Sequence, residues 1–186
     1  AIISSAELLQ DADFNMESVY GIQNKLESLL EECSNLKASE IGDLEAEDRW
    51  ILSKTQGRIV QITEAVEKMR LREGLQDILF SFESDLSWYA KRVDAKGRDN
   101  VSGILHQINS ARVAMLSPFA PHIAEEIWEK LGYTELASKS AWPKFSKENI
   151  DSTSIQSEEL LKSTIDDIVN ILKITKITPQ KIVIYV

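Results

Sequence analysis

The 186-residue sequence holds one cysteine, two histidines, four prolines and seven glycines, and each scarcity removes a class of chemistry. A single thiol, Cys33, cannot close an internal disulfide, which agrees with a reducing cytoplasm. Set among glutamates, it is poorly placed to become a thiolate and reads as structural. His106, His122 and one cysteine form no cluster at metal-ligand spacing. His122 and Glu126 lie one helical turn apart, but two ligands are too few, so His122 reads as a hydrogen-bonding group near a helix start. The glycines are scattered and form no phosphate-cradling loop, and no serine sits in a nucleophile elbow. No run approaches the roughly 18 apolar residues of a membrane span. The opening AIISSAELLQ lacks the basic start and long apolar centre of a secretion signal. There is no internal repeat or low-complexity tract. Paired acids are plentiful, yet they fall mostly on solvated helix faces, so an independent enzyme finds almost no residue support.

What is present is a hydrophobic fraction of 43%, enough for one substantial core, and a net charge of −9 whose distribution is uneven. Residues 1–47 carry 2 lysines against 11 acids, residues 48–116 carry 11 cations against 9 acids, and residues 117–186 carry 8 against 10. All seven arginines, Arg49, Arg58, Arg70, Arg72, Arg92, Arg98 and Arg112, fall in the central segment. The planar guanidinium fork suits phosphate, so their confinement hints at a polyanionic partner despite the acidic average.

Periodicity predicts helices throughout. Asp13 or Asn15 caps a first helix running to about residue 34, with Val19, Ile22, Leu26, Leu29 and Leu30 as its stripe. After an acidic linker, a long helix runs from Asp48 to about Met69, its seam Leu52, Thr55, Ile59, Ile62, Val66 and Met69 alternating in steps of 3 and 4 as bundle helices do. Further helices are expected at about 71–92, 99–116, 119–131 and 156–172. Short connections, one with Gly97 available for a left-handed turn, make neighbouring helices antiparallel. In LSPFAPHIAEEIWEKLG, Ser117 is a candidate cap and Pro118 a candidate first residue, with Pro121 either in that turn or restarting the helix, and Gly132 is a natural stop. The final KIVIYV reads as a short strand at 181–186 completed by a sheet elsewhere, and with the opening alanine it suggests an excised fragment. The fold class is therefore all-α, an antiparallel helical bundle with an extra C-terminal helix and a short terminal strand.

On the first long helix Lys54, Arg58, Gln61, Ala65, Lys68 and Arg72 recur at intervals of 4, 3, 4, 3 and 4, a stripe provided the helix stays regular to Arg72. A second basic group, Lys91, Arg92, Lys96 and Arg98, lies at the next helix turn beside Trp88 and Tyr89, with Arg112 an outlier. Stripe and turn together fit the sugar-phosphate backbone of a folded RNA, held by shape and charge rather than base reading. The competing assignment pairs the same residues with Glu64, Glu67, Glu73 and Asp94 as ordinary surface ion pairs. Trp50, Trp88, Trp128 and Trp142 read mostly as core or core-edge anchors rather than base-stacking platforms.

Several motifs occur in an order that resembles the anticodon-binding helical domain of class Ia aminoacyl-tRNA synthetases. They are DRWILSKTQGRI at 48–59, DLSWYAKR at 85–92, SPFAPHIAEEIWEKLG at 117–132, and the Trp142-Pro143 pair. Within that class, LREGLQDILFSFESDLSWYAKRV and ITPQKIVIYV resemble the archaeal or eukaryotic type of leucyl-tRNA synthetase more than its valyl, isoleucyl or methionyl relatives. IISSAELLQDADF is similar to the connector that leaves the catalytic core. The resemblance implies a division into a connector (1–14), a helical bundle (15–145) and a helix and strand leading to a further module (146–186). It implies a role in holding tRNA, tRNA-Leu above others, for a catalytic domain of the same protein. It makes Lys54, Arg58, Lys68, Arg72, Lys91, Arg92, Lys96 and Arg98 the expected tRNA contacts. The family's HIGH-like and KMSKS-like signatures are absent from the sequence, so ATP and magnesium belong to the parent's catalytic domain, and no cofactor, membrane or DNA partner is expected for this stretch. The alternative is a stand-alone helical adaptor whose acidic N-terminal third binds a basic protein.

Overall fold

The computed structural model describes residues 2–7, 9–11 and 14–184. Among the described residues eight α-helices follow one another: α1 (Ile2–Ser5), α2 (Met16–Ser34), α3 (Ala46–Glu67), α4 (Leu71–Gln76), α5 (Phe82–Ala95), α6 (Ser102–Leu116), α7 (Pro121–Lys130) and α8 (Ser152–Thr175). No strand occurs among the described residues. No described helix is long and apolar enough to cross a membrane. The core gathers Trp50, Ile62, Phe82, Tyr89, Ile108 and Ile127, all essentially without exposed surface, from α3, α5, α6 and α7. Helix α3 is central, packing against α4, α5, α6 and α8, while α2 lies on α7.

Local chemistry sets the helix ends. Asn15 caps α2, its Oδ1 accepting from the Ser18 amide at 2.7 Å. Asp13, the other candidate, lies outside the described residues. Helix α3 begins two residues before Asp48, with Glu45 and Asp48 forming a reciprocal capping box. It ends at Glu67 because Met69 turns left-handed at φ 57°, which removes Met69 from the predicted seam and leaves it 60% exposed. The expected corner also resolves. Ser117 ends α6 rather than capping α7, its Oγ bonding back to the Ala114 carbonyl, and Pro121 restarts the helix at its first position. Gly132, at φ 92°, stops α7 as expected.

The helix predicted over 71–92 is interrupted by one π turn, Asp77–Ser81. A wide turn leaves carbonyls free to bond sideways. Two of them are taken by Arg112, 3% exposed, whose Nε donates to the Ile78 carbonyl at 2.7 Å and Nη2 to that of Leu79 at 3.2 Å. The outlying arginine thus belongs to the interior. Cys33 is fully buried as well, and burial pushes its thiol up to about 12, in keeping with a structural role.

Helix α8 is longer than predicted at both ends. Asp151 caps it, accepting from the Thr153 and Ser154 amides at 3.0 and 3.1 Å, and left-handed Lys176 closes it at φ 53°. Its fully buried residues, Ser154 and Glu158, lie in its first turns. The strand expected at 181–186 is not formed over 181–184, where no described segment supplies a ladder partner, and Tyr185 and Val186 lie outside the described residues.

The acidic linker is held on α6 rather than free. Ser102 Oγ accepts from the Lys37 amide at 3.3 Å and donates to the Lys37 carbonyl at 2.9 Å. Gly103 is the contact point, since a Cβ there would stand 2.5 Å from the Ser39 carbonyl oxygen and 3.2 Å from Ile41 Cγ1. Gly103→Ala is therefore expected to destabilise the fold by about 1–3 kcal/mol in urea unfolding. An unchanged midpoint would show that the linker is not seated there.

Candidate nucleic-acid interface

The cations at the α5–α6 turn face inward. Glu47 and Asp48, in the first turn of α3, have no exposed surface. Arg98 reaches both: its Nη1 donates to Glu47 Oε1 at 2.6 Å and its Nη2 to Asp48 Oδ2 at 2.7 Å. Lys96 Nζ bridges Glu45 and Glu47 at 2.6 and 2.7 Å, and the Tyr89 hydroxyl donates to Asp48 Oδ1 at 2.6 Å. Burial alone would raise the Asp48 carboxyl, but hydrogen bonds from Arg98, Tyr89 and the Glu45 amide outweigh it and hold it below its ordinary range. Glu47 is likewise lowered: burial opposes, and Lys96, its own amide and Arg98 prevail. In return Arg98 and Lys96 are held more firmly protonated, chiefly by their bonds to Asp48 and Glu45.

The α3 stripe is not a continuous rail. The break at Met69 puts Arg72 on α4, and Ala65, in the middle of the series, has no exposed surface. Arg58 points into the α3–α5 interface, its Nε donating to Asp85 at 2.8 Å and its Nη1 to Asp77 at 3.3 Å. Arg92 Nε pairs with Glu158 of α8 at 3.1 Å, and Lys68 pairs with Glu64 one turn back. Of the acids proposed as surface partners, only Glu64 and Glu73 form ion pairs among the described residues, Glu73 with Arg70. The other partners of the predicted cations are Glu45, Glu47, Asp48, Asp77, Asp85 and Glu158, most of them dozens of residues away in sequence.

Lys54, Arg72 and Lys91 remain without an ion pair among the described residues. Lys54 lies close enough to Lys162 of α8 to repel it, and Lys91 and Lys162 line one hollow. Lys162 was not predicted; the available signal was its position four residues after Glu158, which puts both on one face of α8. The tryptophans are anchors. Trp50 is 1% exposed, Trp128 stacks on Tyr133 at 4.0 Å, and Trp142 Nε1 donates to Thr63 Oγ1 at 2.8 Å. His106 Nε2 bonds the Leu131 carbonyl at 2.8 Å, and no group of three or more potential metal ligands assembles among the described residues.

Residues 48–184 of this helical bundle fit the family described as the anticodon-binding domain of tRNA ligase, and the chain belongs to it. Its full-length relatives include the leucine-tRNA ligases of Methanococcoides burtonii, 31% identical over 99% of this chain, and Pyrococcus horikoshii, 32% identical over 97%. The chain spans 19% of the length of each. The fold is shared with LeuRS of Agrobacterium radiobacter, solved in a ternary complex with tRNA and LeuAMS, at a TM-score of 0.64 and 21% identity over 80% of this chain and 19% of that one.

Removing Arg98 strands two buried carboxylates. Arg98→Met is expected to lower stability by about 3–5 kcal/mol in urea unfolding. Because the folded Asp48 and Glu47 carboxyls titrate below their unfolded values, unfolding takes up protons and wild-type stability should fall as pH drops below about 5, through the ordinary carboxylate range. Urea midpoints that stay level from neutral pH to about 3 would contradict that coupling.

Proposed function

We propose that this chain is the tRNA-holding helical domain of a leucine-tRNA ligase, positioning tRNA-Leu so that its acceptor end reaches a catalytic domain elsewhere in the parent protein. That domain would activate leucine with ATP and magnesium, and the parent would work in the cytoplasm. The helical stretch contributes binding rather than chemistry and needs no cofactor of its own. The observation that carries this reading is the family match over 48–184, joined to relatives that are leucine-tRNA ligases across nearly the whole chain. The family match weighs against a free-standing adaptor, and the leucine-tRNA ligase relatives weigh against a valyl, isoleucyl or methionyl parent.

Within this reading Lys54, Lys68, Arg72 and Lys91 are the direct contacts to the tRNA backbone. Lys68 gives up only a surface pair to make one. Arg58, Arg92, Lys96 and Arg98 keep their interhelical carboxylates and act on the RNA through their remaining donors and the local field. Residues 1–14 serve as connector, 15–145 as the bundle and 146–186 as the passage to a further module, with the first turns of α8 tied back through Arg49–Asp151 and Arg92–Glu158.

The test uses the full-length parent. Lys54→Gln with Arg72→Gln should weaken tRNA binding about 10-fold and reduce the slope of log affinity against log salt by about 1–2, since each phosphate contact releases about one counterion. Leucine adenylation, measured by pyrophosphate exchange without tRNA, should be unchanged. Equal loss in both assays, or no loss in tRNA affinity, would overturn the reading.

A further inference from the structure

Among the lysines, Lys162 has a setting of its own. It reaches from α8 onto two indole faces, with Nζ 4.5 Å from the centre of the Trp50 ring and 4.9 Å from that of Trp88. It forms no ion pair among the described residues, because its acidic neighbours are mostly committed: Asp85 to Arg58, and Glu158 to Arg92 and Trp88. The third, Glu159, is exposed. Burial, the largest effect, lowers the pKa of the ammonium and Lys54 acts in the same direction, while Asp85, Glu158 and Glu159 oppose them without restoring it.

Beside it runs an open hollow of about 460 Å³ lined by Ser84, Ser87, Trp88, Lys91, Lys162 and Asp166. On α5, Ser84, Ser87 and Lys91 are spaced by 3 and 4 residues and therefore share one face. On α8, Lys162 and Asp166 are one turn apart and face them. The hollow is thus a groove between α5 and α8, with hydroxyl donors along one wall and an ammonium on each. Its lining carries two lysines against one aspartate, a local charge of +1 in a chain whose net charge is −9.

We infer that the α5–α8 groove is a phosphate-binding subsite, with Lys91 and Lys162 supplying charge from opposite walls and the Ser84 and Ser87 hydroxyls supplying neutral donors. A phosphate offers several acceptor oxygens in divergent directions, which suits donors that converge from two helices better than a single planar pair would. The two indoles fix the position of Lys162 from behind, so the site is preformed on that wall. Taken with the proposed function, on which this assignment rests, the phosphate is one of the RNA backbone, and α8 becomes part of the RNA-holding surface.

The probe is inorganic phosphate, titrated into the protein while amide and indole resonances are followed, with tRNA affinity measured separately on the full-length parent. Ser84, Ser87 and Lys91 amides and the Trp88 indole N–H should move along one saturating curve. Lys162→Gln and Lys91→Gln should each weaken it about 5-fold, and each should lower the salt slope of tRNA binding by about 1. Ser87→Ala, which leaves the indole contacts of Lys162 in place, should weaken the phosphate response about 3-fold, so the outcome does not hinge on α8 staying docked in the lysine variants. Shifts that are absent, or unchanged in all three variants, overturn the subsite. Shifts that depend on both lysines, with tRNA affinity indifferent to either, keep the anion site and overturn its use for RNA.

Discussion

Glu47 and Asp48 are two carboxylates with no exposed surface at the start of the central helix, and the rest of the bundle is arranged around keeping them ionised there. An isolated buried carboxylate would take up a proton or draw in water. Arg98 and Lys96 prevent this from the α5–α6 turn, and Tyr89 does so from the middle of α5, so the start of α3 is tied both to α5 and to the connection that reverses the chain. Pairs of this kind add little to stability beyond what well-packed apolar residues would give, but they tolerate only one register between the helices that carry them.

The same logic recurs along α3 and divides the cations into two populations. Arg58 with Asp77 and Asp85, and Arg92 with Glu158, sit at successive helix interfaces and fix α5 and α8 against the centre. Arg112 does equivalent work with carbonyls instead of carboxylates, and the π turn exists where those carbonyls are needed. Arginine is suited to this because its fork stays protonated when half-buried and spends several donors in one plane. Lysines, as flexible point charges, are left mostly for the surface, and three that form no ion pair among the described residues, Lys54, Lys91 and Lys162, stand beside or on α8.

The helices and their order were legible from apolar spacing, and the proline corner and Gly132 stop from the residues alone. Periodicity carries that information because it is local. The pairing of the arginines was not legible: Arg98 with Asp48, or Arg92 with Glu158, joins residues 50 and 66 apart in sequence, and nothing in a helical wheel says which carboxylate a guanidinium will meet. The stripe on α3 failed for a sharper reason. Its 3-and-4 spacing ran through Ala65, and an alanine in a basic series is compatible with either face of a helix; the structure buries it, and a left-handed Met69 then ends the helix before Arg72. Lys162 was missed because α8 carries no basic cluster; its meaning comes only from the helix docking beside Trp50 and Trp88.

That an acidic chain should hold RNA, as proposed, is therefore less of a paradox than its charge suggests. Within a few ångströms of a surface, a phosphate responds to the charges nearest it, since those farther than about 8–10 Å are largely screened at physiological salt. Asp77, Asp85 and Glu158 are already paired with the inward-facing Arg58 and Arg92, while the excess negative charge is concentrated in residues 1–47. What such a distribution gives is not strong general affinity but local asymmetry, since a polyanion meets more positive charge beside Lys91 and Lys162 than over the chain's average. For a domain whose proposed task is to hold one orientation of a large RNA, that asymmetry matters more than the number of cations in contact.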